Sequence, residues 1–467
     1  MKPINDNKGV MLIASVFLIM VLAGTSAMFL TRSISELWLI NREEDRLRAY
    51  CAAEAGFQGA LSQIGSNSYT GFVNTANYTG SLYLNSLKVA DVSAVMTPET
   101  SDFVVVVSTG TTGWPYSTSR TIQARVFLDS NLSKYLVYAE TDTFSSGSKA
   151  QYGEPMVDPD TGAVIVDSDG RQRVPQDEND RAMMYFTGDW NISGSGVEMY
   201  GDVYVEDDMI VSGGSSVDVH GDTLVTDQYS FSGKAVIDDT YSDGTDQRVM
   251  TSDMEDVLQD IDLSFYYSKN SIPSFGTTAQ SRYLEFGVSS DGTHTVVTEY
   301  NDRYYSNIIN AYDLPVTGIV YVNGDAFIKG TIKGRVSVVA SDDIFIQDTL
   351  TYANGLEHAD SSDAAAFLAR DKLYFCGNSI TTCGIFYAER VSSSNPAFDA
   401  DYNTSGGYSP SSKQYLRIRG NRIIKGTTNL GNYDDRAYIY DPYLKKYRPP
   451  GLPITSVVSF IREVANP

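Results

Sequence analysis

"GDVYVEDDMIVSGGSSVDVHGDTLVTDQYSFSGKAVID", residues 201–238, is one pattern run twice: a Gly-Asp pair, a short alternating apolar run, a polar corner and another short run. The Gly-Asp pair at Gly201 returns at Gly221, 20 residues later. Related pieces open at Gly188 ("GDWNISGSG") and at Gly324 ("GDAFIKGTIKGRVSVVASDDIFIQD"). Strands this short cannot bury their inward faces alone, so such a pattern folds by stacking coils on a shared core. An antiparallel sandwich of short strands is the competing reading, but hairpin turns of the Asn-Gly type are scarce here. Residues 188–467 therefore read as a right-handed parallel β-helix or similar solenoid. An insertion interrupts it at about residues 239–314, where Ser252 and Glu255 form a capping box before Val257, Leu258 and Ile261. "SVVSFIREV", near the C-terminus, reads as a last strand or short helix.

Upstream the pattern changes. Residues 136–187 are polar and acidic, which predicts a loop or linker. Before them, "SLYLNSLKVADVSAVM", "DFVVVVSTG" and "TSRTIQARVFLD" alternate with β-branched residues and predict three or four antiparallel strands within residues 65–135. Residues 31–67 contain no Pro and no Gly before Gly56, and apolar residues recur near helical spacing at Leu37, Ile40, Leu47, Tyr50, Ala55 and Leu61. Val10 to Leu30 carries no ionisable side chain, enough for a membrane span of about 20 residues. The two stretches join into a helix over residues 10–64, roughly 85 Å long at 1.5 Å per residue. A cleaved secretory signal after Ala27 has no need of that continuation, and Met28, Phe29 and Leu30 stay apolar beyond it.

A net charge of −23 repels nucleic-acid backbones and acidic membrane surfaces, so neither is an expected partner. No G-x-S-x-G, H-E-x-x-H or phosphate-cradling loop occurs, and His220, His294 and His358 stand apart from other ligand residues. Asp207, Asp208, Asp342 and Asp343 could supply paired carboxylates to a polysaccharide-cleaving β-helix, but Asp at a coil corner is ordinarily a turn former. No enzyme activity is expected. "DPDTG" and "DSDG" set Asp158 with Asp160, and Asp167 with Asp169, two residues apart ahead of a glycine, the beginning of a calcium loop that neither completes. No cofactor is expected, with calcium at these aspartates the minor alternative. Cys376 and Cys383 are read as two buried thiols or as a disulfide closing a short loop in an oxidising compartment.

Lys8-Gly9, the uncharged tract, and "AYCAAEAG", which places Ala49, Ala52, Ala53, Glu54, Ala55 and Gly56, together resemble type IV pilin-like proteins, in particular minor pilins of the PilX type. The likeness spans about the first 130 residues, and more weakly the solenoid as an appended passenger region. It implies a leader over residues 1–9, cut by prepilin peptidase between Gly9 and Val10. It further implies a helix that anchors the subunit in the inner membrane and then packs among other pilin-like subunits. Major pilins carry Glu at the fifth mature position, which neutralises the neighbour's amino terminus; here that position is Ala14. A buried unpaired ammonium is costly, so the resemblance implies a subunit that primes or caps a pilus or pseudopilus, its solenoid at the tip or cell surface displayed towards a glycan or protein. A plain membrane-anchored β-helix remains the alternative. Lys and Arg counts alone would put the large domain in the cytoplasm, whereas the family topology puts it in the periplasm.

Overall fold

The computed structural model describes residues 7–464 apart from 67–75, 85–86, 99–102, 114–116, 130–132, 134, 141–142, 147–148, 159–160, 162, 167–171, 173, 176–180, 213–215, 233, 243–260, 316, 356–361, 390–395, 401–412, 431 and 453–454. The chain has a long N-terminal helix with a small antiparallel sheet, and a large unit made mostly of strands. It divides into two compact units. The first draws on Met1–Ser66, Phe72–Phe127 and Ser456–Pro467, the second on Leu128–Thr455.

In the first unit, α1 (Asn7–Ser66) runs 60 residues without a break, about 90 Å of helix. Hydroxyl groups inside its apolar stretch are satisfied locally: Thr25 Oγ1 donates to the Val21 carbonyl at 3.0 Å and Thr31 Oγ1 to that of Ala27 at 2.8 Å. Four strands, β1 (Ala76–Leu84), β2 (Leu87–Pro98), β3 (Phe103–Thr112) and β4 (Ser119–Asp129), form an antiparallel meander. The terminal strand Thr455–Val464 lies next to β4 in the same sheet. The last strand is thus part of this sheet and not of the solenoid; the solenoid is inserted between β4 and it.

The helix meets the sheet through small residues. Ala49, Ala52, Ala53 and Gly56 follow i, i+3, i+4, i+7 spacing, which aligns them on one helix face, and all four are buried. A Cβ on Gly110 of β3 would sit 2.1 Å from the Ala49 carbonyl oxygen, and one on Gly56 would sit 2.2 Å from Val92 Cγ1. Ser108 Oγ donates to the Ala53 carbonyl at 2.6 Å across the same seam. Glycine in a strand otherwise rich in valine marks such close backbone approach.

In the second unit a sheet of 21 strands winds on itself, and a second sheet of four strands supplies part of one face. The coils pair in parallel at coil spacing, as in Val197–Met199 against residues 217–219 and residues 203–205 against residues 223–225. Each coil lays down three faces, and apolar residues alternate inward to fill the lumen. The Gly-Asp repeat has a local cause at one corner. A Cβ on Gly221 would approach the Gly201 carbonyl oxygen to 2.2 Å, and Asp202 Oδ1 accepts the Asp222 amide at 3.1 Å. Gly420 stands in the same relation to Gly384, both with φ near +134°.

The order of coils does not follow the chain. Strand Val137–Glu140 pairs in parallel with residues 422–425, and Ala150–Tyr152 with residues 436–438. From this middle position the chain builds outward to Lys234–Ser242. It then resumes at the other end with Thr317–Val322 and builds back to Tyr433–Ile439. The expected linker over residues 136–187 is therefore in part solenoid: residues 137–152 form the coil beneath the last one, and Ala182–Phe186 opens the next. Residues 239–314 hold the passage between the two ends. They carry an antiparallel meander (Arg282–Val288, Thr295–Tyr300, Ile308–Asp313) whose Leu284, Phe286 and Val297 plug the open lumen. The capping box at Ser252 lies outside the described residues; the short helix that follows is Leu263–Lys269, capped by Asp262.

That helix and the segment after the last coil cover the outside of one solenoid face. Tyr266 donates from its hydroxyl to the Gly451 carbonyl at 2.6 Å, and Ser337 Oγ to that of Pro450 at 2.6 Å. Strand Ala364–Ala369 is consequently buried on both sides and reads "AAAFLA" without alternation.

Replacing Gly110 with Val should loosen the helix–sheet seam by at least the 1–3 kcal/mol typical of overpacking. Gly24→Ala, which would meet nothing within 4 Å, should be neutral. Thermal unfolding of both variants, with limited proteolysis near β3, measures the difference.

Candidate functional site

The apolar part of α1 is the largest feature that the chain leaves uncovered. Side chains from Met11 to Ile40 are exposed throughout, among them Leu12, Phe17, Ile19, Phe29 and Trp38. It is the one helix among the described residues long and apolar enough to cross a membrane, with a window of mean hydropathy 2.3 that the rest of the chain does not bury. Ala14 is exposed within it. Gly9 and Val10 lie in the first turns of the helix. Of the Ala/Gly box, Ala49, Ala52, Ala53 and Gly56 turn to the sheet, while Glu54 and Ala55 are exposed on other faces. Burial starts near Arg46, so one continuous helix carries a bare half and a clamped half.

Asp207, Asp208, Asp342 and Asp343 fall at one corner of the solenoid, each pair beside one further aspartate. Asp189, Asp207 and Asp208 offer carboxylate oxygens within 4.8 Å of one another, and Asp325, Asp342 and Asp343 do the same. They ladder from coil to coil by accepting backbone amides. Asp189 Oδ1 accepts Asp208 N at 3.2 Å, Asp208 Oδ1 accepts Gln228 N at 3.0 Å, and Asp343 Oδ1 accepts Lys372 N at 2.9 Å. A carboxylate in that position satisfies an amide that the turn would leave open. Stacking such corners crowds the charge. Burial first, then the negative charge of Asp342, Asp371 and Asp325, pushes the Asp343 carboxyl up to about 7.

The remaining expectations resolve individually. Asp158 Oδ1 accepts Thr161 N at 2.8 Å and the Thr161 hydroxyl at 2.9 Å, a turn closed on itself; Asp160, Asp167 and Asp169 lie outside the described residues. Cys376 and Cys383 form no disulfide: both are free thiols. Cys383 belongs to the luminal core, whereas Cys376 packs against the outer aromatic stack of Phe327, Phe345 and Tyr374. Six intervening residues include a change of strand, which sends the two side chains to opposite sides of the wall. His220 stacks on Tyr200 at 4.6 Å, and His294 Nε2 lies 3.3 Å from Asp313; His358 is outside the described residues.

No protein-family model matches the chain, and no curated protein matches it. Among solved structures, the competence-associated pilin ComZ from Thermus thermophilus aligns over 90% of this chain and 97% of its own at 13% identity, with a TM-score of 0.28. A score that low does not establish a common fold.

A carboxyl held near 7 in the fold binds a proton that the unfolded chain, with its carboxyl near 4, has released. Its contribution to stability is therefore full below about pH 4 and is lost as pH rises through about 7. Asp343→Asn, which keeps the acceptor for Lys372 N, should raise the unfolding temperature more at pH 8 than at pH 5, where only the first part of that loss has occurred. Calorimetry at the two pH values reads the difference.

Proposed function

We propose that this chain is a minor pilin-like subunit that is held in the inner membrane by α1, is processed between Gly9 and Val10, and then primes or caps a filament. The observation that carries the reading is the division of one unbroken helix. Its first half is apolar and bare, and its second half is clamped to an antiparallel sheet through Ala49, Ala52, Ala53 and Gly56. A helix used only as an anchor needs about 20 residues; this one continues for twice that length beyond the span as a rigid stem. Bare apolar helices bury themselves either in lipid or against each other, and the same surface serves both in turn. Ala14 leaves no carboxylate for a neighbour's amino terminus, which favours the end of a filament over its body. The solenoid is then a displayed domain, outside the cell membrane, for adhesion or interaction.

A membrane-anchored β-helix that never assembles shares the apolar tract but makes no demand on Gly9. Gly9→Glu should leave the precursor uncut, visible as an unshifted band and an intact N-terminal peptide by mass spectrometry, and should abolish filament assembly. Normal mobility shift and normal assembly in that variant would refute the pilin-like reading.

A further inference from the structure

Where the last coil stacks on the first, the outer wall of the solenoid carries a groove. One outward-facing row runs across it by register: Thr381 beside Arg417, Arg417 beside Ala437, and Ala437 beside Gln151. Thr381, Arg417 and Ala437 belong to consecutive coils, and Gln151, almost 300 residues from Ala437 in the chain, completes the row only because the coil order is permuted. Ala437 is the small residue of the row, and the floor dips over it. Tyr415 and Asp435 rise along one side, and Glu154 faces Arg417 across the other at 3.5 Å. This depression of about 450 Å³ adjoins a second of about 460 Å³. The two share Glu154 and Ile439, and the second is walled by Met156 and Val157 of the excursion that leaves the coil at Gly153.

We infer that this groove is a binding site for a neutral oligosaccharide chain, lying along the row from Thr381 to Gln151. Three properties select that chemistry. First, the polar lining is planar and two-handed: Gln151, Glu154, Arg417 and Asp435 each present paired donors or acceptors that match adjacent hydroxyl groups. Gln151 commits one amide hydrogen to the Gly153 carbonyl at 3.1 Å, which fixes the plane of its amide. Tyr415, 44% exposed, offers a ring to the apolar C–H face of a sugar. Second, charge cancels locally, with Glu154 and Asp435 against Arg417 and Arg419, in a chain of net charge −23. Phosphorylated or acidic ligands meet no surplus of positive charge and an unfavourable field. Third, the row repeats at the strand spacing of about 4.8 Å, close to the length of one pyranose ring, so each coil can address one sugar. Volumes of this size suit ligands of a few rings.

The inference gains its biological meaning from display of the solenoid, as proposed above, but the binding itself does not depend on processing or assembly. Full-length protein in detergent, titrated calorimetrically with maltohexaose, cellohexaose, mannohexaose and chitohexaose, should bind at least one of them. Ala437→Trp, which fills the floor, and Gln151→Ala should each weaken that binding at least tenfold. Tyr304→Ala, on an exposed residue of the end meander, should leave it unchanged. Folding of each variant is followed by circular dichroism, and Gln151→Ala decides should Ala437→Trp misfold. Absence of binding to all four sugars overturns the inference. So does binding that survives both groove substitutions, or a preference for an acidic oligogalacturonate or an extended peptide. A negative result here together with normal Gly9-dependent processing would remove the glycan site and leave the pilin-like reading standing.

Discussion

The parallel pairing of Val137, Tyr138, Ala139 and Glu140 with Arg422, Ile423, Ile424 and Lys425 governs the layout of the large unit. It makes the first and last coils neighbours, so the chain enters and leaves the solenoid at one level. With both connections in the middle, coils must be added in two directions, and one passage must run from end to end. The segment around Leu263–Lys269 and the tail near Gly451 are the covering that results, and they bury the outer side of Val339, Ala364, Ala366 and Leu368 as a second core. The two open ends pose a different requirement from the seam. The antiparallel meander plugs one of them with Leu284, Phe286 and Val297, the usual requirement for a stacked fold whose terminal coil would otherwise expose its lumen.

The seam coil also has an unusual interior. Arg422 is buried in the lumen with its guanidinium 4.1 Å from the Tyr438 ring centre and 5.5 Å from that of Phe398. Lys413 Nζ donates to the carbonyls of Phe375 at 2.8 Å and Ala400 at 2.6 Å. Buried cations survive when carbonyls and aromatic faces replace water, and both side chains sit in the last coil before the closure. Elsewhere the lumen is filled mainly by aliphatic and aromatic side chains. The polar layer is one of the few places where one register along the stack differs chemically from its neighbours, and such differences oppose slippage.

Much of this was legible in the sequence, for a physical reason that also explains what was not. The α1 helix and the coils around Gly201 and Gly221 are set by contacts at short and regular separation, so their periodicity is written locally. The coil at residues 137–152 pairs with strands almost 300 residues away and is cut off from the next coil by the Gly153–Arg181 excursion, so no repeat announces it. The terminal strand Thr455–Val464 has an ordinary strand composition that does not say which sheet it joins. Cys376 and Cys383 are close in sequence but separated by the wall of a coil, a distinction that spacing cannot carry. Gly110 carries its own signal: a glycine inside "FVVVVSTGTT" marks a close neighbour, and that neighbour is the Ala49–Ala53 turn.

The Ala/Gly box has two parts with different causes. Packing inside the chain accounts for Ala49, Ala52, Ala53 and Gly56, because any larger side chain there collides with β2 or β3. That half of the resemblance would arise in any protein that lays a helix this tightly on a sheet, and it argues for a fold more than for a family. Glu54 and Ala55 face away from the sheet, so the internal packing does not require them. The bare surface from Met11 to Ile40 is likewise unexplained by anything within the chain. Both point outward from the same helix, and the physical requirement they share is a neighbouring surface that the chain itself does not supply.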